Sequence, residues 1–182
     1  MRTSKTMKMV AFSMLVALMS ATALKAQTKG DNVVGFGIGF GGTIYSGYYG
    51  SGISRIPTLS VNYEHFIVDN LWDENSSIGV GGILGYASAS TDYWKSSNII
   101  IGGRGALHYQ FTDKLDAYTG LMLGYDVASF KWKGFDYGSS SAGGFTYSWF
   151  LGGRYYFSDT FAAFAELGYG IAVFNVGVAM KF

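Results

Sequence analysis

The chain contains no cysteine, one proline (Pro57) and only two histidines, His65 and His108. Without cysteine there is neither a disulfide staple nor a thiolate metal site. Two scattered histidines do not assemble a metal-ligand set, so no metal, cofactor or catalytic residue is expected. An excess of charge of one sign is also missing: 13 basic residues stand against 12 acidic ones, which gives no basis for a nucleic-acid partner. After residue 26 no apolar run reaches the roughly 20 residues of a transmembrane helix, although 49% of the chain is hydrophobic. All 27 glycines lie in that same part, and each costs about 1 kcal/mol inside a helix relative to alanine. A membrane protein without such a helix has one other solution, a closed β-barrel, because every backbone polar group in hydrocarbon must be paired.

Residues 1–26 have the pattern of a secretory signal peptide: Arg2, Lys5 and Lys8 precede an apolar stretch, Met9 to Met19, that is interrupted only by Ser13 and followed by small residues. Cleavage is expected after Ala26, with the Ala21-Thr22-Ala23 triplet as the alternative. Gln27-Thr28-Lys29-Gly30 would then form a free polar start. The mature chain, 27–182, is expected to be one domain. Removing Arg2, Lys5, Lys8 and Lys25, with no acidic residue among 1–26, takes the charge from +1 to −3.

Eight segments of this domain alternate in polarity with the period of a strand. The first, 34–41, sets Val34, Phe36, Ile38 and Phe40 against a face made only of glycine, as if the large residues turned away from a narrow lumen. Segments at 58–67, 77–87, 98–111, 115–127, 145–157 and 161–169 repeat the alternation, and Asn175 to Phe182 closes the chain. Outward positions hold Leu59, Val61, Ile78, Val80, Ile99, Ile101, Leu121, Leu123, Trp149 and Leu167. By parity no charged side chain looks outward between two bands of aromatics. Tyr86, Tyr125, Tyr147 and Tyr169 mark one band; Tyr109, Phe111, Tyr155, Phe157, Phe161 and Phe182 mark the other, as two interfacial girdles require. The turns at Asp69-Asn70-Leu71, Asp113-Lys114-Leu115 and Asp159-Thr160-Phe161 recur once per hairpin. The expected fold is therefore all-β: a closed, antiparallel, eight-stranded, up-and-down transmembrane barrel.

The inward positions collect Glu64, Arg104, His108, Asp126, Arg154 and Glu166, with Asp116 and Lys181. A lumen of eight strands is only just wide enough for side chains to fill it, so these charges are expected to pair as a luminal polar network. If Gly152 faces Glu166, Arg154 lies diagonal to the carboxylate, and an Arg154–Glu166 ion pair is expected. His108 has Tyr118 or Gln110 as expected neighbours. Three loops, around Tyr48 and Tyr49, around Tyr93 and Trp94, and around Trp132, Phe135 and Tyr137, mix aromatics with charge, a composition suited to binding proteins or glycans. The fourth, Gly170-Ile171-Ala172, is too short to bind anything alone.

The final strand, with Asn175, Gly177, Met180 and a terminal Phe182, resembles the last strand of bacterial outer-membrane β-barrels: polar, glycine, apolar, aromatic. Taken with the strand pattern, the mature chain resembles the small porin-like barrels of the OmpA-transmembrane and OmpX type from Gram-negative bacteria. That resemblance implies an outer-membrane location among lipid and lipopolysaccharide and insertion by the outer-membrane assembly machinery. It also implies a structural or surface-interaction role through the loops, with a protein or glycan ligand. No peptidoglycan-binding domain follows Phe182, so cell-wall anchoring is not expected. A narrow channel for small or apolar solutes is the alternative, and a lipid A-modifying enzyme the third. The third is disfavoured because no outward histidine has a serine and an acid beside it at the loop end.

Overall fold

The structure, a computed structural model, describes residues 27–42, 53–133 and 139–182. Eight strands form a closed barrel in sequence order. They are β1 (Asn32–Phe40), β2 (Ser54–Asp69), β3 (Ser76–Ser90), β4 (Trp94–Thr112), β5 (Leu115–Trp132), β6 (Ser139–Tyr156), β7 (Phe161–Tyr169) and β8 (Phe174–Lys181). Each strand pairs antiparallel with its sequence neighbours, and β8 closes on β1 from Val33↔Lys181 to Phe40↔Phe174. Closure matters energetically, because it leaves no unpaired ladder in the band that the apolar face surrounds.

The alternation fixes which face is which. Phe36, Ile101, Leu123 and Val178 are 54, 62, 58 and 56% exposed, while their inward neighbours Gly37, Ile100, Met122 and Ala179 are buried. The one hydroxyl in the middle of the outward face of β5, that of Thr119, donates to the carbonyl of Phe150 at 3.0 Å and so does not stand unsatisfied. The glycine face of β1 is explained by what lies opposite. A Cβ at Gly35 would meet the Asn62 amide at 2.7 Å, and one at Gly37 would meet Asn175 Oδ1 at 2.6 Å. The lumen is thus not too narrow for side chains; its side chains come from the strands on either side of β1.

The interior is layered. Toward the short turns, Val33, Phe66, Tyr156, Ala162, Phe164 and Ala179 form an apolar plug. Toward the loops, Ile100, Met122 and Ile171 form a second one. Ile171 belongs to the connection between β7 and β8, which folds into the barrel mouth, with Gly170 at φ 110° making the bend. The other end is closed by Gln27, which is 5% exposed and not the free polar start expected from sequence. Its Nε2 donates to Asp116 Oδ2 at 2.9 Å and to the Tyr156 hydroxyl at 3.1 Å. A glutamine reads as solvated in sequence; here the partners that bury it come from strands 89 and 129 residues away.

Strand lengths depart most from the sequence reading, since β4, β5 and β6 hold 19, 18 and 18 residues. At about 3.3 Å per residue and a tilt near 40°, such strands rise roughly 45 Å, against an apolar band about 25 Å tall. The excess lies at the loop end. There β4 and β5 remain paired up to Trp94↔Trp132, and β5 and β6 up to Lys131↔Ser139. By contrast, β7 pairs with β6 only from Tyr169↔Trp149 downward. The rim is low over β7, β8 and β1 and high over β2 to β6.

Candidate functional site

Two parts of the molecule gather the polar and aromatic residues singled out above: the lumen between the plugs and the sheet that projects from the rim.

In the lumen, Glu64 (β2), Arg104 and His108 (β4), Asp116 and Tyr118 (β5), Arg154 (β6) and Glu166 (β7) are all buried. Strand parity brings them there, since each occupies an inward position. The Arg154–Glu166 pair expected from sequence is not formed. Arg154 Nη2 instead donates to Glu64 Oε2 at 2.9 Å, and Arg104 Nη2 donates to Glu166 Oε1 at 2.8 Å. Gly152 does face Glu166 as expected. However, the space beside it is taken by the Tyr118 ring, 2.6 Å from where a Gly152 Cβ would be, and the Tyr118 hydroxyl donates to Glu166 Oε1 at 2.9 Å. The diagonal rule counts only neighbours along the sheet. In so small a barrel, partners across the lumen are equally close.

His108 joins the two halves. Its Nε2 is 3.0 Å from Glu64 Oε1, and its Nδ1 is 2.8 Å from Asp116 Oδ2. Ionised carboxylate oxygens only accept, so both contacts are satisfied together when both ring nitrogens carry hydrogen. Three carboxylates then stand against two guanidiniums and one imidazolium, and the buried set is neutral. Its ring stacks on Tyr118 with centroids 5.0 Å apart, as the sequence suggested, and meets Phe66 edge-on at 4.8 Å. Arg104 lies over the Phe150 ring at 4.1 Å. Asp126 is not a member of this ionic set. It is half-buried nearer the loops and accepts from Asn98 Nδ2 at 2.8 Å. Sequence reading missed Asn175 as a network member: its Nδ2 donates to Glu166 Oε2 at 3.0 Å. The signal was there, since Asn175 has inward parity two positions before Gly177.

Gly177 has its own structural reason, because a Cβ there would come within 2.0 Å of the Phe36 carbonyl oxygen. Two of the four residues of the terminal pattern, Asn175 and Gly177, thus hold the barrel together irrespective of any assembly signal. Met180 and Phe182 are exposed on the outer face.

His65, the second histidine, faces outward near the turn end, where its Nδ1 lies 2.9 Å from Asn32 Oδ1. Among the described residues no group of three or more His, Cys, Asp or Glu side chains is arranged to hold a metal ion.

Above the rim, the inner face of the projecting sheet carries an aromatic ladder. Trp94 stacks on Phe130 with centroids 5.7 Å apart, and Phe130 meets Trp132 edge-on at 5.3 Å. Tyr93, at the tip of the β3–β4 turn, is 73% exposed. The Tyr93 carbonyl accepts from the Lys133 amide at 2.7 Å, which ties the two loops together. Tyr48, Tyr49, Phe135 and Tyr137 lie outside the described residues. Along β6, Ser139 to Ser148 pairs with β5 on one side and, among the described residues, with no strand on the other.

No family model matches this chain, and no curated protein sequence matches it. Solved structures do. The chain is similar to the attachment invasion locus protein of Yersinia pestis, Ail, in complex with the heparin analogue sucrose octasulfate, at 11% identity and a TM-score of 0.54, over 85% of this chain and 100% of that one. It is equally similar to the N-terminal β-barrel domain of Pseudomonas aeruginosa OprF, at 14% identity and a TM-score of 0.54, over 86% of this chain and 100% of that one. At such identities the likeness is one of fold.

Proposed function

We propose, from the premise that this chain has the fold of the small eight-stranded outer-membrane β-barrels, that it is an integral outer-membrane protein of a Gram-negative bacterium that binds surface ligands. The barrel is the anchor and the projecting sheet of β2 to β6 is the binding surface. The observation that carries this reading is the asymmetry of the rim. Five strands run past the apolar band, and above it the last of them, β6, pairs with no strand on its far side from Ser139 to Gly143 among the described residues. An open edge beside exposed aromatics is what strand-addition and aromatic-anchor recognition use. Tyr93 and Trp132, at 73 and 51% exposure, are the anchors. The partner is an extracellular protein or glycan; Ail, similar in fold, was crystallised with a heparin analogue. Insertion by the assembly machinery through Asn175, Gly177, Met180 and Phe182, and export by a signal peptide covering 1–26, belong to the same reading.

No catalysis is part of it. His108 is enclosed between two carboxylates, and its side chain is 1% exposed. A solute route is not favoured either, since the described lumen is filled by two apolar layers and an ionic one.

Cells displaying the barrel are expected to adhere to immobilised extracellular proteins or sulfated glycans that cells without it do not hold. Combined Tyr93→Ala and Trp132→Ala should cut that adhesion by about tenfold or more, the scale of losing aromatic anchors, with the folded gel mobility unchanged. Adhesion that is equal with and without the barrel, or indifferent to the double substitution, would refute the proposal.

A further inference from the structure

We infer that the outer face of the β4–β5 hairpin, just above the apolar band, is a binding site for the phosphorylated headgroup of an outer-leaflet glycolipid, held by Lys95 and Lys131 with Lys133 above them. The site faces away from the aromatic ladder and does not depend on the adhesive role.

Successive outward rows of cross-strand partners climb the β4–β5 hairpin. Ile101 and Tyr125 form one, Ile99 and Val127 the next, Ser97 and Ser129 the next, and Lys95 and Lys131 the last. Oil gives way to hydroxyl and then to ammonium. The step from Ile99 to Lys95 is four residues, which at about 3.3 Å per residue and a tilt near 40° is roughly 10 Å along the membrane normal. The headgroup layer of one leaflet is about 5–8 Å thick, and a lysine stem reaches back several ångströms with its ammonium in the polar layer. The lysine row is therefore at the depth of glycolipid phosphates.

The second observation is that the pairing is unfavourable unless something lies between the two lysines. They are direct cross-strand partners, and like charges so placed destabilise a sheet. Neither forms an ion pair among the described residues. Lys133 is held nearby, with its Nζ donating to the Thr91 carbonyl at 2.7 Å. Two ammoniums with no ion-pair partner among the described residues, flanked by the hydroxyls of Ser97 and Ser129, fit a phosphate monoester on a sugar: charge for the oxygens and donors for the ring.

The third is polarity along the barrel axis. The turn end carries Asp31, Asp69, Asp73, Glu74, Asp113 and Asp159 against Lys29, Lys114 and Lys181, whereas the described residues at the loop end carry Arg55, Lys95, Lys131 and Lys133 against Asp92 and Asp126. Although residues 27–182 carry a net charge of −3, the described residues at the end that emerges among the lipid headgroups carry an excess of basic side chains.

The test is native mass spectrometry of the full barrel released from vesicles that contain bisphosphorylated lipid A or its dephosphorylated form, in zwitterionic phospholipid. Wild type should retain the phosphorylated lipid in clear excess over the dephosphorylated one. Each lysine near an anionic surface contributes about fivefold, so K95S/K131S should reduce the excess by about 25-fold. Thermal unfolding gives an independent readout. K131S should match or exceed wild type in purely zwitterionic vesicles, where it relieves repulsion, and fall below wild type when lipid A is present. Millimolar inorganic phosphate should not displace the lipid, because the acyl chains and the sugar hold it as well. Equal retention of the two lipids, retention indifferent to K95S/K131S, or ready displacement by inorganic phosphate would each overturn the inference. So would a soluble heparin fragment binding the lysines in detergent while lipid A retention is unaffected by the double variant.

Discussion

Glu64→Ala is expected to lower the unfolding free energy of the barrel in lipid vesicles by about 3–5 kcal/mol, the cost of removing one partner from a buried charge pair. Glu64 is the carboxylate on which Arg154 and His108 converge, at 2.9 and 3.0 Å. Without it Arg154, whose side chain is 2% exposed, keeps its charge in the lumen and has no ion-pair partner. His108 retains Asp116, so the loss falls mainly on the arginine. Urea titration with folded fraction read from heat-modifiable gel mobility measures the effect. Adding Arg154→Met to Glu64→Leu should recover most of the loss, because apolar replacements of a buried pair are close to neutral. A loss below about 1 kcal/mol for Glu64→Ala alone would mean that water reaches the arginine, and that the lumen is not closed as described.

Arginine placed on the outer face should be costly in proportion to its depth. Along β5, Leu121→Arg and Leu123→Arg are expected to destabilise by about 2–4 kcal/mol, as for a charge near the bilayer midplane, with Val127→Arg less and Ser129→Arg within about 1 kcal/mol of wild type. Leu121 and Leu123 are 59 and 58% exposed. In a water-soluble protein, arginine at such positions would be nearly silent, which separates a lipid-facing surface from a hydrated one. The series is read by the same urea titration, and a flat profile would contradict the depth assignment.

Much of the barrel could be read from residue order, because a transmembrane strand has few ways to hide an error. Shifting β4 by one residue would turn Arg104 and His108 into lipid, so parity alone places them. The same logic located the eight strands and their turns, and it gathered the luminal charges. Pairing within the lumen was not legible. Whether Arg154 reaches Glu166 or Glu64 depends on distances across the barrel and on the Tyr118 ring beside Gly152, neither of which has a signature along one strand. Asp126 shares inward parity with the ionic set yet sits too near the loops to join it. Strand lengths at the loop end were underestimated for a different reason. The serine and lysine rows beyond Ile99 and Val127 lack the apolar alternation that marks a strand in lipid, although hairpin pairing continues through them in water. Gln27 was misjudged because it is short of local context: what buries it is the far side of a closed barrel.

The absence of native cysteine makes the central claim open to a clean measurement. Single cysteines at 36, 101, 122, 123 and 178, spin-labelled in vesicles, report whether oxygen from the bilayer or a water-soluble nickel chelate relaxes the label. Labels at 36, 101, 123 and 178 should be relaxed by oxygen and shielded from nickel, and that at 122 shielded from both. Nickel access at Phe36, Ile101, Leu123 and Val178, or loss of the alternation between neighbours, would contradict an apolar face turned to lipid around a filled and closed barrel.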